Sequence, residues 1–192
     1  MNIALRRQAP ALLLLLLAGL ALPILTAAPL RAAESSDRSA AMPAPELTGK
    51  VWLNLPSGSA LSLASRKGKV TILHFWTYGC INCRRNLPAY DRWHKRFASK
   101  GVVVIGVHSP ETEAERDPTN VAKQVKELGI TYPVLLDAEL KNWNRWQQRV
   151  WPAVCLIDKR GWARYAWEGE LEWRGAGGEA KMTQLIEGLL KE

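Results

Sequence analysis

The chain has 192 residues, 47% of them hydrophobic and nine of them tryptophan, which suits one well-packed domain and excludes a disordered, collagen-like or low-complexity protein. Its three cysteines are too few to staple a small scaffold, so each is either chemistry or filler. The formal charge of +8 overstates the basic character: Arg6, Arg7 and Arg31 lie in an acid-free stretch over residues 1–33, residues 34–192 carry 23 basic and 18 acidic side chains, and no nucleic-acid-binding motif accompanies that mild excess.

Arg6 and Arg7 lead into an uncharged run with six consecutive leucines, Leu12 to Leu17, followed by small residues around Thr26, Ala27 and Ala28. This order predicts a signal peptide over residues 1–33, either cleaved or kept as a membrane anchor, and a domain outside the cytoplasm. Residues 34–48, rich in alanine, serine and proline without periodicity, are expected to be a linker.

From Gly49 onward strand-like and helix-like segments alternate. Val51–Leu55 and Ala60–Leu63 flank the turn Pro56-Ser57-Gly58-Ser59 and read as an N-terminal β-hairpin. Val70–Trp76 is a short β-branched and aromatic run, the pattern of a strand buried on both faces. A helix is expected over Cys80–Ala98, with Leu87, Tyr90, Trp93 and Phe97 on its apolar face. Val102–Val107 follows as a strand, then a helix marked by Val121, Val125 and Leu128 and stopped at Gly129. A strand at Pro133–Leu136, a helix at Leu140–Gln148, strands at Ala153–Ile157 and Ala163–Trp167, and a helix around Met182, Leu185, Ile186 and Leu189 complete the chain. The alternation predicts an α/β sandwich, a mixed sheet with helices on both faces.

Cys80-Ile81-Asn82-Cys83 falls where a buried strand gives way to a helix. Disulfide exchange needs a thiolate, and a helix N-terminus stabilises a nearby anion by roughly 0.3–1 kcal/mol, up to ~2 where partly buried. Arg84 and Arg85 add positive charge in the first turn. Cys80 is therefore the expected nucleophile and Cys83 the resolving thiol. A structural disulfide is the plainer reading, yet closing so short a loop contributes comparatively little. Zinc requires four ligands, and Cys155, His74, His94 and His108 do not form a spaced set, so no metal site is expected.

The stretch Phe75-Trp76-Thr77-Tyr78-Gly79-Cys80-Ile81-Asn82-Cys83 resembles the active-site segment of thioredoxin-fold proteins, above all the TlpA-like periplasmic thiol-disulfide oxidoreductases and the redoxin domains of DipZ-type membrane proteins. The likeness continues through Val102–Glu111, Gly129–Val134 and Trp151–Asp158, and covers residues 49–192 as a redoxin domain. It implies a thioredoxin-like three-layer sandwich. It further implies that Cys80 attacks and Cys83 resolves, that Trp76 packs beside the site, that Pro88 kinks the active-site helix, and that Pro152 is cis and faces the cysteines. Trp151 would then pair with an extended substrate strand. The implied protein is an exported enzyme without a prosthetic group, its only redox group a Cys80–Cys83 disulfide. Its partners would be cysteine-containing periplasmic proteins and a membrane thiol donor of the DsbD or CcdA type; a monomer is expected.

The departures from that pattern matter too. His74 stands where many thioredoxins carry a buried aspartate, and is either a proton shuttle or a neutral core histidine bonded to backbone. Gly79 replaces a frequent tryptophan, so the opening beside Cys80 is either wide or filled by Tyr78. His108 is expected to be a solvated loop residue, Cys155 a buried small hydrophobe, and Glu111 and Glu113 surface charges. Trp143 and Trp146 read as core before groove. Two rival functions share the fold: a thiol peroxidase, whose peroxidatic threonine-and-cysteine segment is missing, and a Sco-type copper chaperone, which separates its cysteines by three residues and adds a histidine.

Overall fold

In the computed structural model, which describes residues 41–192, the seven residues of β3 (Val70–Trp76) are all buried. A strand sealed on both faces must satisfy its main chain on both edges, and β3 does so as the central strand. It pairs in parallel with β4 (Val102–His108), Val70 opposite Val102 and Trp76 opposite His108, and antiparallel with β6 (Ala153–Ile157), Thr71 opposite Ile157. Beyond β4 lies β5 (Val134–Leu136), parallel; beyond β6 lies β7 (Trp162–Glu168), antiparallel. The two-residue strands β1 (Met42–Pro43) and β2 (Trp52–Leu53) close the edges, giving the order β1-β7-β6-β3-β4-β5-β2.

Alternate residues of β3 face opposite cores. Val70, Ile72 and Trp76 pack with Leu87, Tyr90, Trp93 and Phe97 of α1 (Ile81–Phe97), Val121 and Val125 of α2 (Pro118–Glu127), and Met182, Ile186 and Leu189 of α4 (Gly178–Lys191). Leu73 and Phe75 pack with Ile105, Val107, Cys155, Ile157 and Trp143 of α3 (Lys141–Arg145). The four residues expected on the apolar face of α1 are thus its buried seam. Its exposed basic face is held to α4 by Arg92–Glu179 and Arg96–Glu187 pairs, each contributing about 1 kcal/mol or less.

The expected N-terminal hairpin does not form. β2 pairs with β5, Trp52 opposite Leu135, and Ala60–Leu63 is not a strand. Two side chains explain the difference. The Glu46 carboxylate accepts the main-chain N–H groups of Leu63 and Ala64 at 2.7 and 3.0 Å, donors a hairpin ladder would need. Asn54, at φ 59°, donates to the carbonyls of Ile130 and Tyr132 and turns the chain toward β5.

The expected linker also differs over its described part. Met42 and Pro43 join the sheet, Ala44 N–H donates to Gly161 O at 2.9 Å, and Thr48 N–H donates to Asn142 Oδ1 at 2.8 Å. The expected signal peptide and residues 34–40 lie outside the described residues. α3 is shorter than Leu140–Gln148, because Leu140 and Gln147 take left-handed conformations at φ 56° and 53°. Among the described residues no helix is long and apolar enough to cross a membrane.

Candidate active site

The strand-to-helix join after β3 brings the two cysteines to the sheet end where β3 and β4 finish. Cys80 is the N-cap of α1, in extended conformation, and its Sγ accepts the Cys83 N–H at 3.3 Å. An N-cap acceptor satisfies one of the unpaired amides that open a helix; here that acceptor is a sulfur. Both thiols are free, Cys80 half-buried and Cys83 fully buried. Burial, reinforced by the neighbouring Cys80, pushes the Cys83 thiol far above its ordinary value. One sulfur is reachable and the other is sealed as a neutral thiol, one helical turn apart.

The three residues before Cys80 are clamped from the end of β4 and the segment that follows it. His108, the last residue of β4, is 1% exposed and not the solvated residue expected. Its Nε2 accepts the Tyr78 N–H and lies 3.3 Å from the Thr77 hydroxyl, while its ring stacks on Tyr78 and meets Trp76 edge-on. Burial lowers its pKa to about 4, so the ring is neutral at pH 7.

Glu115 supplies the second clamp. Its carboxylate is 3% exposed. Oε1 accepts the Gly79 N–H at 2.9 Å, and Oε2 accepts those of Glu111 and Thr112, both at 2.8 Å. Burial alone would raise its pKa; bonds from the Thr77 hydroxyl and from the amides of Thr112, Glu111 and Gly79 outweigh it and hold the group ionised. A Cβ at position 79 would sit 2.5 Å from Oε1, so glycine there makes room for a carboxylate and not for a wider opening.

The facing wall comes from β6 and α3. The Trp151–Pro152 bond is cis, and Pro152 is buried, its carbonyl accepting the Gly169 N–H at 2.7 Å. The Trp151 indole stacks on Trp143 at 3.9 Å and donates to Ser109 O at 3.0 Å. Asp137 fixes this wall by accepting from Ser109 Oγ and from the Asn142 and Trp143 N–H groups. Asn86, in the second turn of α1, bonds Gly169 O and the Leu171 N–H, tying the helix to the strand end behind Pro152.

The structure therefore gathers Cys80, Cys83, Tyr78, Trp151 and Pro152 around one sheet end, but sorts them by exposure. Tyr78 and Trp151 are half-exposed. Trp76, expected to pack beside the site and counted with the substrate-binding residues, has no exposed surface and backs the site from beneath. His74 is fully buried in a stack on Tyr90 at 4.1 Å, with neither ring nitrogen hydrogen-bonded. Burial lowers its pKa to about 3, so it remains neutral; the backbone bond expected of a core histidine is missing as well. Gly106 leaves room for it, since a Cβ there would lie 2.9 Å from His74 Nε2. Cys155 is buried in the opposite core, its thiol pushed up to about 12 by burial.

Sequence reasoning missed Glu115, Asp137 and Asn86. For Glu115 a signal existed: Thr112-Glu113-Ala114-Glu115 is a capping box, and Thr112 and Glu115 do cap the short helical turn that follows. That pattern foretells the local turn; it says nothing of the reach to Gly79.

The AhpC/TSA family pattern matches residues 41–166. The protein DipZ of Mycobacterium tuberculosis is 44% identical over 128 residues, 66% of this chain but only 18% of DipZ. The thiol-disulfide oxidoreductase YkuV of Bacillus subtilis is 30% identical over 124 residues, 64% of this chain and 81% of its own. Among solved structures, a thioredoxin-like superfamily protein superposes with a TM-score of 0.70 and 29% identity, covering 79% of this chain and 97% of its own. These matches put the chain in the AhpC/TSA family with a thioredoxin-like fold.

Proposed function

The chain belongs to the AhpC/TSA family and is a thioredoxin-like protein of the TlpA and DipZ type, and from that premise we propose that it exchanges dithiol for disulfide with other proteins through Cys80 and Cys83. The observation that carries this reading is the asymmetry of the pair: a half-buried sulfur at the N-cap of α1, and a sealed thiol whose amide bonds it.

In the favoured direction the protein is the reductant. Cys80 thiolate attacks a substrate disulfide, forming the mixed disulfide and releasing one substrate thiolate, which takes up a proton. Cys83 then loses its proton and attacks the Cys80 sulfur, closing the Cys80–Cys83 disulfide and releasing the second substrate thiol. Two electrons and two protons pass to the substrate, and an external dithiol of the DsbD or CcdA type restores the pair. The rise in the Cys83 pKa keeps that thiol from competing as first nucleophile.

The wall at Trp151 and Pro152 suits an extended peptide. Among the described residues no main-chain bond engages Trp151, and Tyr78 and Trp151, partly buried against the same core as Cys80, offer aromatic surface. His74, neutral and without a hydrogen-bond partner, is a weak candidate for the proton acceptor. The leucine-rich N-terminal run supports a site of action outside the cytoplasm.

Cys83→Ser is expected to accumulate mixed disulfides with a disulfide-bearing protein substrate through Cys80, and Cys80→Ser to exchange nothing. Mass spectrometry of the trapped species decides it: trapping by Cys80→Ser would reverse the roles. Rapid peroxide consumption with no disulfide reduction would replace the reading with a thiol peroxidase.

A further inference from the structure

One residue before the redox pair the chain is held by a charge that the exchange chemistry does not use. Glu115 contributes no reacting atom, yet its carboxylate is bonded to the peptide N–H directly before Cys80. Resting on the function proposed above, we infer that Glu115 is a positioning residue that sets the redox equilibrium of the Cys80–Cys83 pair, its buried negative charge opposing the Cys80 thiolate and making the pair a stronger reductant.

Three features carry this. First, the carboxylate lacks a balancing cation: among the described residues no lysine or arginine pairs with it, whereas ten other ion pairs are present. Its partners are three amides and the Thr77 hydroxyl, which solvate the charge and leave its sign intact. Second, the adjacent cation, Arg116, is paired with Glu113 and not with Glu115, and the groups that touch Glu115 or lie beside it add no positive charge. His108 is neutral, Tyr78 is a phenol whose own pKa is raised by burial and then by Glu115 and Asp117, and Glu111 is acidic. Third, the charge cannot swing away cheaply, because each carboxylate oxygen is tied and 97% of the residue's surface is withdrawn from water, 3% remaining. A like charge held near a titrating group disfavours its anion, more strongly at low local dielectric.

The sign follows. Only the dithiol form can carry a thiolate, so a fixed carboxylate disfavours the dithiol and leaves the disulfide untouched. Disulfide is favoured and the pair gives up its electrons more readily. Arg84 and Arg85 and the start of α1 act in the opposite sense, and Glu115 offsets them. Gly79 belongs to the same device: any larger residue would drive the carboxylate from its place.

The test is the glutathione redox equilibrium of the purified full chain: protein dithiol plus glutathione disulfide against protein disulfide plus two glutathione. Glu115→Gln is expected to move that equilibrium about tenfold toward the dithiol, about 30 mV in potential, and to raise the alkylation rate of Cys80 at pH 7 severalfold. Gly79→Ala keeps the charge but forces it out by steric contact, at a residue without positive φ; about a threefold shift the same way is expected, and this variant decides the matter if Glu115→Gln does not fold. Glu113→Gln, whose side chain is 91% exposed, is expected to match the wild type. Glu115→Gln within twofold of wild type, or shifted toward disulfide, overturns the inference while leaving the exchange reading intact. A wild-type pair that does not equilibrate with glutathione sinks the exchange reading itself.

Discussion

Of the three carboxylates with almost no exposed surface among the described residues, Asp137 being one, two stand at opposite ends of the central sheet, Glu115 at 3% and Asp158 at 2%. Asp158 sits in the turn between β6 and β7, accepts the Arg160 and Trp162 N–H groups at 2.9 Å, and is paired with the guanidinium groups of Arg160 and Arg164 at 3.1 Å. Glu115, beside the cysteines, has the amides without the arginines. Both groups are held below the usual carboxylate range, since their hydrogen bonds outweigh burial. The difference lies in what remains afterwards: at the turn the charge is neutralised and the result is structure, while at the site it is left standing and acts on the sulfur.

The largest stability effect is expected from Asp158→Ala, which leaves two turn amides and Arg160 without their acceptor, Arg164 keeping Glu192, and costs about 2 kcal/mol, read by chemical denaturation. The same variant is expected to leave the glutathione equilibrium unchanged; a shift as large as that of Glu115→Gln would show that distance and pairing do not matter as argued. Glu115→Gln is expected to cost a comparable amount, about 2 kcal/mol, because Oε1 still accepts the Gly79 N–H while an amide nitrogen replaces the oxygen that accepts those of Glu111 and Thr112.

Acid pH offers a further handle. A carboxyl whose folded pKa is depressed contributes stability above its unfolded value, 3.8 for Asp158 and 4.5 for Glu115, and that contribution is lost as pH falls through the lower folded value. Asp158→Asn and Glu115→Gln are therefore each expected to flatten the loss of stability below about pH 4, measured as the slope of unfolding free energy against pH. A slope equal to that of the wild type would remove the group in question from the linkage.

The smallest effect is expected at His74. Its nitrogens meet no partner, so His74→Leu removes an unsatisfied buried polar group and is expected to change stability by less than about 1 kcal/mol in either direction. Disulfide exchange is expected to persist at a similar rate; a loss of tenfold or more in the resolving step alone would restore His74 as the proton carrier.

Much of this molecule is written in its sequence because the information is local. The β-branched run at Val70–Trp76 buries both faces, so its bounds coincide with β3; the spacing of Leu87, Tyr90, Trp93 and Phe97 marks one face of α1. The placement of Cys80 at a helix start is local as well. What was illegible depended on partners distant along the chain. Whether Val51–Leu55 folds back on Ala60–Leu63 was decided by Glu46 and Asn54, which reach residues 17 and 76 positions away. The expected strand stops at Val107 and leaves His108 to a solvated loop, yet β4 extends through it and Tyr78 closes over it.

By itself, then, the sequence determined the order and type of the central elements and the two sulfurs that matter, because hydrophobic period and helix capping are properties of adjacent residues. Only the tertiary structure decided that a glutamate 35 residues beyond Cys80 lies against the peptide before it, and that Gly79 is small for that reason. Charge acts through space in a medium the chain itself creates by excluding water, and neither the distance nor the dryness is encoded in any short run of residues.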